Sequence, residues 1–149
     1  MQAEFQRASA GDIPTLLALM REFYAHEELA FDEAVARQAL LGLLQNEAYG
    51  RAFLIFRQGE LVGYAVLTLG YSLEFGGVDA LVDELYLREA VRGQGLGRAA
   101  LAFLADACRA LGVQAVHLVV EHKNTRAHAV YQRFGFQDEP RHLMTKWLT

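Results

Sequence analysis

The chain is poor in cysteine: Cys108 stands alone among 149 residues, so no intramolecular disulfide can form and nothing marks an oxidising compartment. It has no apolar run of the roughly 18 residues that a membrane span requires, and no basic region followed by an apolar stretch at its start. A cytoplasmic protein without a membrane partner is the expectation. Positive charge is not in excess either. Lys and Arg number 14 against 18 Asp and Glu, a formal charge of −4, and the basic residues are scattered, which offers no surface to a nucleic-acid backbone. The five histidines, His26, His117, His122, His128 and His142, lack tight ligand spacing, so no metal is expected. There are only two prolines and no repeat or low-complexity tract, and residues 1–149 read as a single domain.

What is present is apolar sequence in quantity, 53% of the residues, enough at this length for a core without staples. Glu4 to Ala8 alternates like a short strand, and Asp12 with Pro14 reads as a helix start. Leu16, Leu17, Met20, Phe23 and Tyr24 recur at helical spacing to about His26. A second helix is predicted after the N-cap Asp32, with Val35, Ala39, Leu40, Leu43 and Leu44 on one face. Two strand-like runs follow, Arg51 to Arg57 and Leu61 to Leu69, joined by the short turn Gln58-Gly59-Glu60. After a turn at Glu74-Phe75-Gly76-Gly77, a third run covers Leu81 to Leu87. Leu101, Leu104, Ala105, Cys108 and Leu111 then form an apolar helix face closed by Gly112, and Cys108 reads as a small buried hydrophobe. The run Ala115 to Val120 suggests a strand covered on both faces, a short helix follows Asn124, and His142 to Leu148 suggests a last strand.

Between the third run and the apolar helix lies Arg92-Gly93-Gln94-Gly95-Leu96-Gly97-Arg98. A glycine-rich turn opening a helix presents unpaired N–H groups and the positive end of the helix dipole, which suits a phosphate or diphosphate. Glycine lets oxygens approach the backbone and permits φ > 0. The stretch Gly95 to Ala100 also fits the loose G-x-G-x-x-A pattern of dinucleotide-binding folds, with Glu121 as the ribose partner, but the 28 residues after Glu121 are too few for a doubly wound domain.

A second cluster accompanies the turn: Asn124, then Ala129-Val130-Tyr131, then Phe134-Gly135-Phe136. Together with Arg92-x-x-Gly95-x-Gly97, in this order and strongest from about Val82 to Phe136, it resembles the GNAT-type N-acetyltransferases, with some similarity to the diamine and polyamine branch. The resemblance implies an α/β (α+β) fold with a mixed, mostly antiparallel sheet of six to seven strands flanked by about four helices. It implies acetyl-CoA as cosubstrate, an amine acceptor as the second partner, and a homodimer as a frequent assembly. By the same resemblance, backbone groups of Leu85, Tyr86 and Leu87 meet the pantetheine arm where two strands splay apart. The turn Arg92, Gly93, Gln94, Gly95, Leu96, Gly97 and Arg98 holds the diphosphate, and Asn124, Ala127 and Tyr131 complete the coenzyme contacts. Asn124 as a cap of its own helix is an equally physical reading.

Acetyl transfer to an amine needs a base for the ammonium and an acid for the departing thiolate. The resemblance makes Tyr131, seven positions beyond Asn124, the general acid. Asp83 and Glu84 are the candidate bases, acting directly or through water. Strand alternation sends them to opposite faces, and Glu84 is narrowly favoured, whereas polyamine-acetylating relatives place the base at the position of Asp83. Glu74, Asp79 and the acidic turn from Glu27-Glu28 to Asp32-Glu33 suggest a basic amine acceptor. A peptide or protein amine, and a sensor that binds acyl-CoA without turnover, are the alternatives.

Overall fold

A computed structural model describes residues 2–149, which divide into two compact units, one ending at Val119 and one spanning Val120–Thr149. In the first unit the elements run β1 (Ala3–Arg7), α1 (Ile13–His26), α2 (Glu33–Gln45), β2 (Gly50–Arg57), β3 (Glu60–Ser72), β4 (Gly77–Leu87), α3 (Leu96–Ala110) and β5 (Ala115–Leu118), with single 3₁₀ turns at Ala10–Asp12 and Glu89–Val91. The strands form one sheet in the order β1-β2-β3-β4-β5. Three pairs are antiparallel and β4–β5 is parallel.

The helix ends follow from local chemistry. Ser9 and Asp12 form a reciprocal capping box ahead of α1, with Ser9 N–H donating to Asp12 Oδ2 at 2.9 Å, and Pro14 occupies the first turn, where a missing N–H costs nothing. Asp32 caps α2 by accepting from the N–H groups of Ala34 (3.0 Å) and Val35 (3.3 Å). The buried stripe of α2 is narrower than its sequence suggests. Ala36 and Leu40 are buried, whereas Val35 is 64% exposed and Ala39 faces water. Helix α2 packs against both α1 and β2, and Ala36 and Leu40 are the side chains it sends into that layer.

Two apolar layers cover the sheet. On one face α1 and α2 enclose Leu16, Leu19, Leu54, Tyr64, Val66 and Tyr86. On the other, α3 places Leu96, Ala100, Leu104 and Cys108 against Phe53, Ile55, Leu67, Ala80 and Val82. Cys108 is buried, and that burial pushes its thiol pKa up.

Two β-bulges decide which residue faces which layer. Along β2–β3 the register passes from Ile55↔Gly63 to Phe56↔Leu61, leaving Val62 as the extra residue. Along β3–β4 it passes from Val66↔Glu84 to Leu67↔Val82, leaving Asp83 as the extra residue. Even-numbered Ala80 and Val82 therefore face α3, while beyond the bulge even-numbered Tyr86 faces α1 and odd-numbered Leu85 and Leu87 face α3. Gly63 permits the close approach beside these bulges, since a Cβ there would lie 2.0 Å from the Tyr86 carbonyl oxygen. Gly63→Ala is expected to cost about 1–3 kcal/mol of stability by overpacking. Gly42→Ala in α2, with open space at its Cβ, should gain about 0.5–1 kcal/mol. Urea denaturation of both variants checks the contrast, and equal midpoints would refute it.

Among the described residues the sheet has five strands, fewer than the six to seven expected. Strand β5 stops at Leu118 because only Asp79 to Val82 of β4 pair with it, and the continuation is uncovered, Val119 being 67% exposed. In the second unit α4 (Thr125–Phe134) starts at Asn124 and ends at Gly135, whose φ of +117° suits a residue without Cβ. Residues 136–149 form no helix or strand, so the last strand expected over His142 to Leu148 is absent, and Leu143, Met144, Trp147 and Leu148 are exposed. Among the described residues no helix is long and apolar enough to cross a membrane.

Candidate active site

The glycine turn stands where its sequence puts it, between β4 and α3. Gly93 (φ +77°) and Gly95 (φ +83°) both occupy left-handed backbone, and Gly95 is the N-cap of α3. No side chain caps this helix. The first intrahelical bond runs from Ala99 N–H to Gly95 O at 3.1 Å, so the N–H groups of Leu96 and Gly97 precede the ladder, and space is open where Cβ atoms of Gly95 and Gly97 would project. A diphosphate fits such a cradle in shape and sign. The neighbouring side chains brace it. Arg57, ending β2, donates to Gln94 Oε1, and Gln94 Nε2 donates to Ala90 O at 3.3 Å. Arg92 turns back toward the sheet: its Nε donates to Leu87 O at 2.8 Å, and its guanidinium lies 5.8 Å from the Tyr86 ring centre and 3.2 Å from His26 Nε2. Arg92 thus links the end of β4 to α1.

Beside this turn the parallel pair opens. Pairing of β4 with β5 ends at Val82↔Leu118, while β4 continues to Leu87. Leu85, Tyr86 and Leu87 consequently present a backbone edge with no strand beside it on the β5 side, among the described residues. Main-chain groups left so require a partner, which at the Leu87 carbonyl Arg92 already supplies.

The bulge at Asp83 breaks strict alternation along β4. It turns Glu84 toward α1, where Tyr24 donates to Oε2 and Tyr64 donates to Oε1 at 2.7 Å. Burial raises the Glu84 pKa above the usual carboxylate value, the two phenols oppose that rise, and the Asp83 charge adds to it. Asp83 is open to water yet walled by enough protein to raise its own pKa, and its charge reaches Tyr24 and Tyr64 as well as Glu84. Both tyrosine pKa values rise, chiefly by burial and then through Glu84, so both phenols stay protonated donors. The sequence alone did not single out Tyr24 and Tyr64: one looks like an ordinary member of an amphipathic stripe, the other like a strand aromatic.

A second network adjoins the first. Arg88 grips Glu22 with two bonds, Nε to Oε1 at 3.0 Å and Nη2 to Oε2 at 2.8 Å, and Tyr86 OH donates to the same Oε1 at 3.1 Å. The Arg88 guanidinium holds the Glu22 carboxyl below its usual pKa. Other acids expected at an acceptor rim are engaged locally. Asp32 caps α2, Glu33 pairs with Arg21, and Asp79 lies 3.2 Å from His117. Asn124 Oδ1 accepts from Ala127 N–H at 3.2 Å, and Tyr131 stands on α4 with its ring 6.1 Å from that of Phe136; all four residues belong to the second unit. No group of three His, Cys, Asp or Glu side chains is placed to hold a metal ion among the described residues.

Comparison with known proteins shows the family and the fold. The sequence profile of the acetyltransferase (GNAT) family matches residues 14–136. The L-methionine sulfoximine/L-methionine sulfone acetyltransferase of Pseudomonas aeruginosa is 27% identical over 142 residues, 92% of this chain and 81% of that protein. The thialysine N-epsilon-acetyltransferase of Bos taurus is 26% identical over 146 residues, 89% of this chain and 83% of that protein. The crystal structure of an integron cassette protein from the mobile metagenome of Cole Harbour Salt Marsh superposes with a TM-score of 0.87 at 39% identity, covering 97% of this chain and 90% of its own. The chain belongs to the GNAT family and is an acetyl-CoA-dependent N-acetyltransferase.

Proposed function

We propose that this protein transfers the acetyl group of acetyl-CoA to a primary amine of a small, basic molecule by direct attack in a ternary complex. The observation that carries the reading is a half-buried carboxylate, Glu84, on a strand whose next residues leave their neighbour and run into an uncapped, glycine-lined helix start. Acetyl-CoA supplies an activated thioester. The turn Arg92 to Arg98 is assigned to its diphosphate, the open edge Leu85 to Leu87 to its pantetheine amides, and Asn124 and Ala127 to further coenzyme contacts by their place in the sequence motif. Glu84 receives the proton of the acceptor ammonium, a task suited by a pKa raised toward the working pH. Tyr131 is assigned the proton for the thiolate, again by motif position. Asp83 adds negative charge near the acceptor amine and keeps the proton affinity of Glu84 high.

A small acceptor is supported by the two relatives, both named for amines on amino-acid-sized molecules. Self-association into a homodimer is supported by four exposed apolar side chains in the tail, and sedimentation at micromolar concentration checks it. Thiol release from acetyl-CoA, measured across polyamines, amino acids and peptide N-termini, tests the whole reading. Turnover on peptides alone would replace the small acceptor, and binding without turnover would make the protein a sensor.

The cradle has its own test. Gly95→Val would strain left-handed backbone and place two methyl groups where the diphosphate is assigned. Loss of one charge-assisted bond corresponds to roughly a 10- to 100-fold weaker hold on the coenzyme. The KM for acetyl-CoA is expected to rise by that factor with the KM for the amine little changed, and an unchanged coenzyme KM would remove the loop from the site.

A further inference from the structure

We infer that Tyr24 and Tyr64 are positioning residues dedicated to Glu84, one hydroxyl fixing each carboxylate oxygen so that the remaining lone pairs face the acceptor amine. The inference rests on the proposed role of Glu84 as base. Three elements converge to build the arrangement: α1 supplies Tyr24, β3 supplies Tyr64, and the bulged β4 supplies Glu84. Neither hydroxyl has another hydrogen-bond partner among the described residues. The Tyr64 side chain is fully buried, its ring centre 6.2 Å from those of Phe23 and Tyr86. The Tyr24 ring stands edge-on to Phe23 at 5.8 Å and to Phe31 at 5.4 Å. Both rings are thus immobilised by packing on their apolar faces, and each spends its one polar atom on the same carboxylate.

An ionised carboxylate offers about four acceptor positions, and the two phenols occupy one on each oxygen. A carboxylate clamped at both oxygens cannot rotate, so its free lone pairs keep a fixed direction. The same bonds stabilise the ionised form against burial and against the Asp83 charge on the neighbouring residue. The remaining charged groups of this face are engaged elsewhere, Glu22 with Arg88, Arg88 also with the Leu61 carbonyl, and Arg92 with His26 and the Leu87 carbonyl. The phenols are therefore the only donors holding Glu84 as a base, among the described residues.

The test is a titration of the Glu84 carboxyl carbon by NMR in the ligand-free protein, for the parent, Tyr24→Phe and Tyr64→Phe, with Glu84→Gln identifying the resonance. Removal of either hydroxyl is expected to move the Glu84 midpoint upward by about one pH unit, the worth of one hydrogen bond to a charged group. The acid limb of kcat/KM should move with it. A fall in turnover with the midpoint unmoved in both variants would overturn the inference and leave the tyrosines a packing role. If Tyr64→Phe does not fold, Tyr24→Phe alone carries the decision. A midpoint that moves while the acid limb stays in place would instead uphold the clamp and remove Glu84 as the base.

Discussion

Glu84→Gln is expected to lower kcat/KM by about 10²–10⁴ at neutral pH and, at the same time, to raise the thermal midpoint. The loss follows from the proposed role: an amide cannot take the ammonium proton, and general-base catalysis is worth a factor of that size. The gain in stability follows from the direction of the pKa shift. Folding raises the Glu84 pKa above 4.5, its ordinary value, so the folded state favours the protonated carboxyl. Its contribution to stability is fully present below the ordinary value and is lost as pH rises through the raised one. Glutamine does not ionise, and both tyrosines can still bond it, one donating to its oxygen and one accepting from its nitrogen. The advantage of the variant should therefore open above the ordinary carboxylate value, persist at pH 7, and vanish in acid. For a chain of this size each kcal/mol corresponds to roughly 2–4 °C. Calorimetry across pH together with initial rates checks both halves. Asp83→Asn serves as the comparison. If it, and not Glu84→Gln, abolishes the acid limb of kcat/KM, the base is Asp83.

Tyr131→Phe carries the second large effect. Its phenol is proposed to protonate the departing thiolate, and its loss is expected to cost about 10²–10⁴ in kcat with saturating acetyl-CoA. Complete inactivation is not expected, because a thiolate leaves tolerably without help. The ring packs edge-on to Phe136, a contact that phenylalanine keeps. Unchanged turnover would dismiss the role. A drop confined to the KM for acetyl-CoA would make Tyr131 a coenzyme contact alone.

Many element ends were legible because they are set by neighbours in sequence. Asp12 with Pro14, Asp32, Gly95, Gly112 and Asn124 each satisfy or release backbone groups within a few residues, and each sits at the helix end that its chemistry suggests. The strand-like run Arg51 to Arg57 likewise corresponds to a strand whose two faces meet two layers. The illegible parts involve partners far away along the chain. The apolar residues Val35 and Val119 look internal, yet their exposure depends on what lies opposite. Strand-forming propensity in His142 to Leu148 does not create a strand without a neighbour to pair with.

Sequence alone determined the local chemistry: a glycine turn at a helix start, two adjacent acids in the strand before it, and the caps that begin and end the helices. Those depend on contacts within a few residues. Tertiary structure alone decided which acid meets which layer. One extra residue at Asp83 reverses the facing of everything after it, turning Glu84 to two tyrosines that lie 60 and 20 positions away. A bulge costs a ladder bond or so, while the packing of two apolar layers against the sheet is worth far more, so the register is settled by layers that no short window of sequence contains.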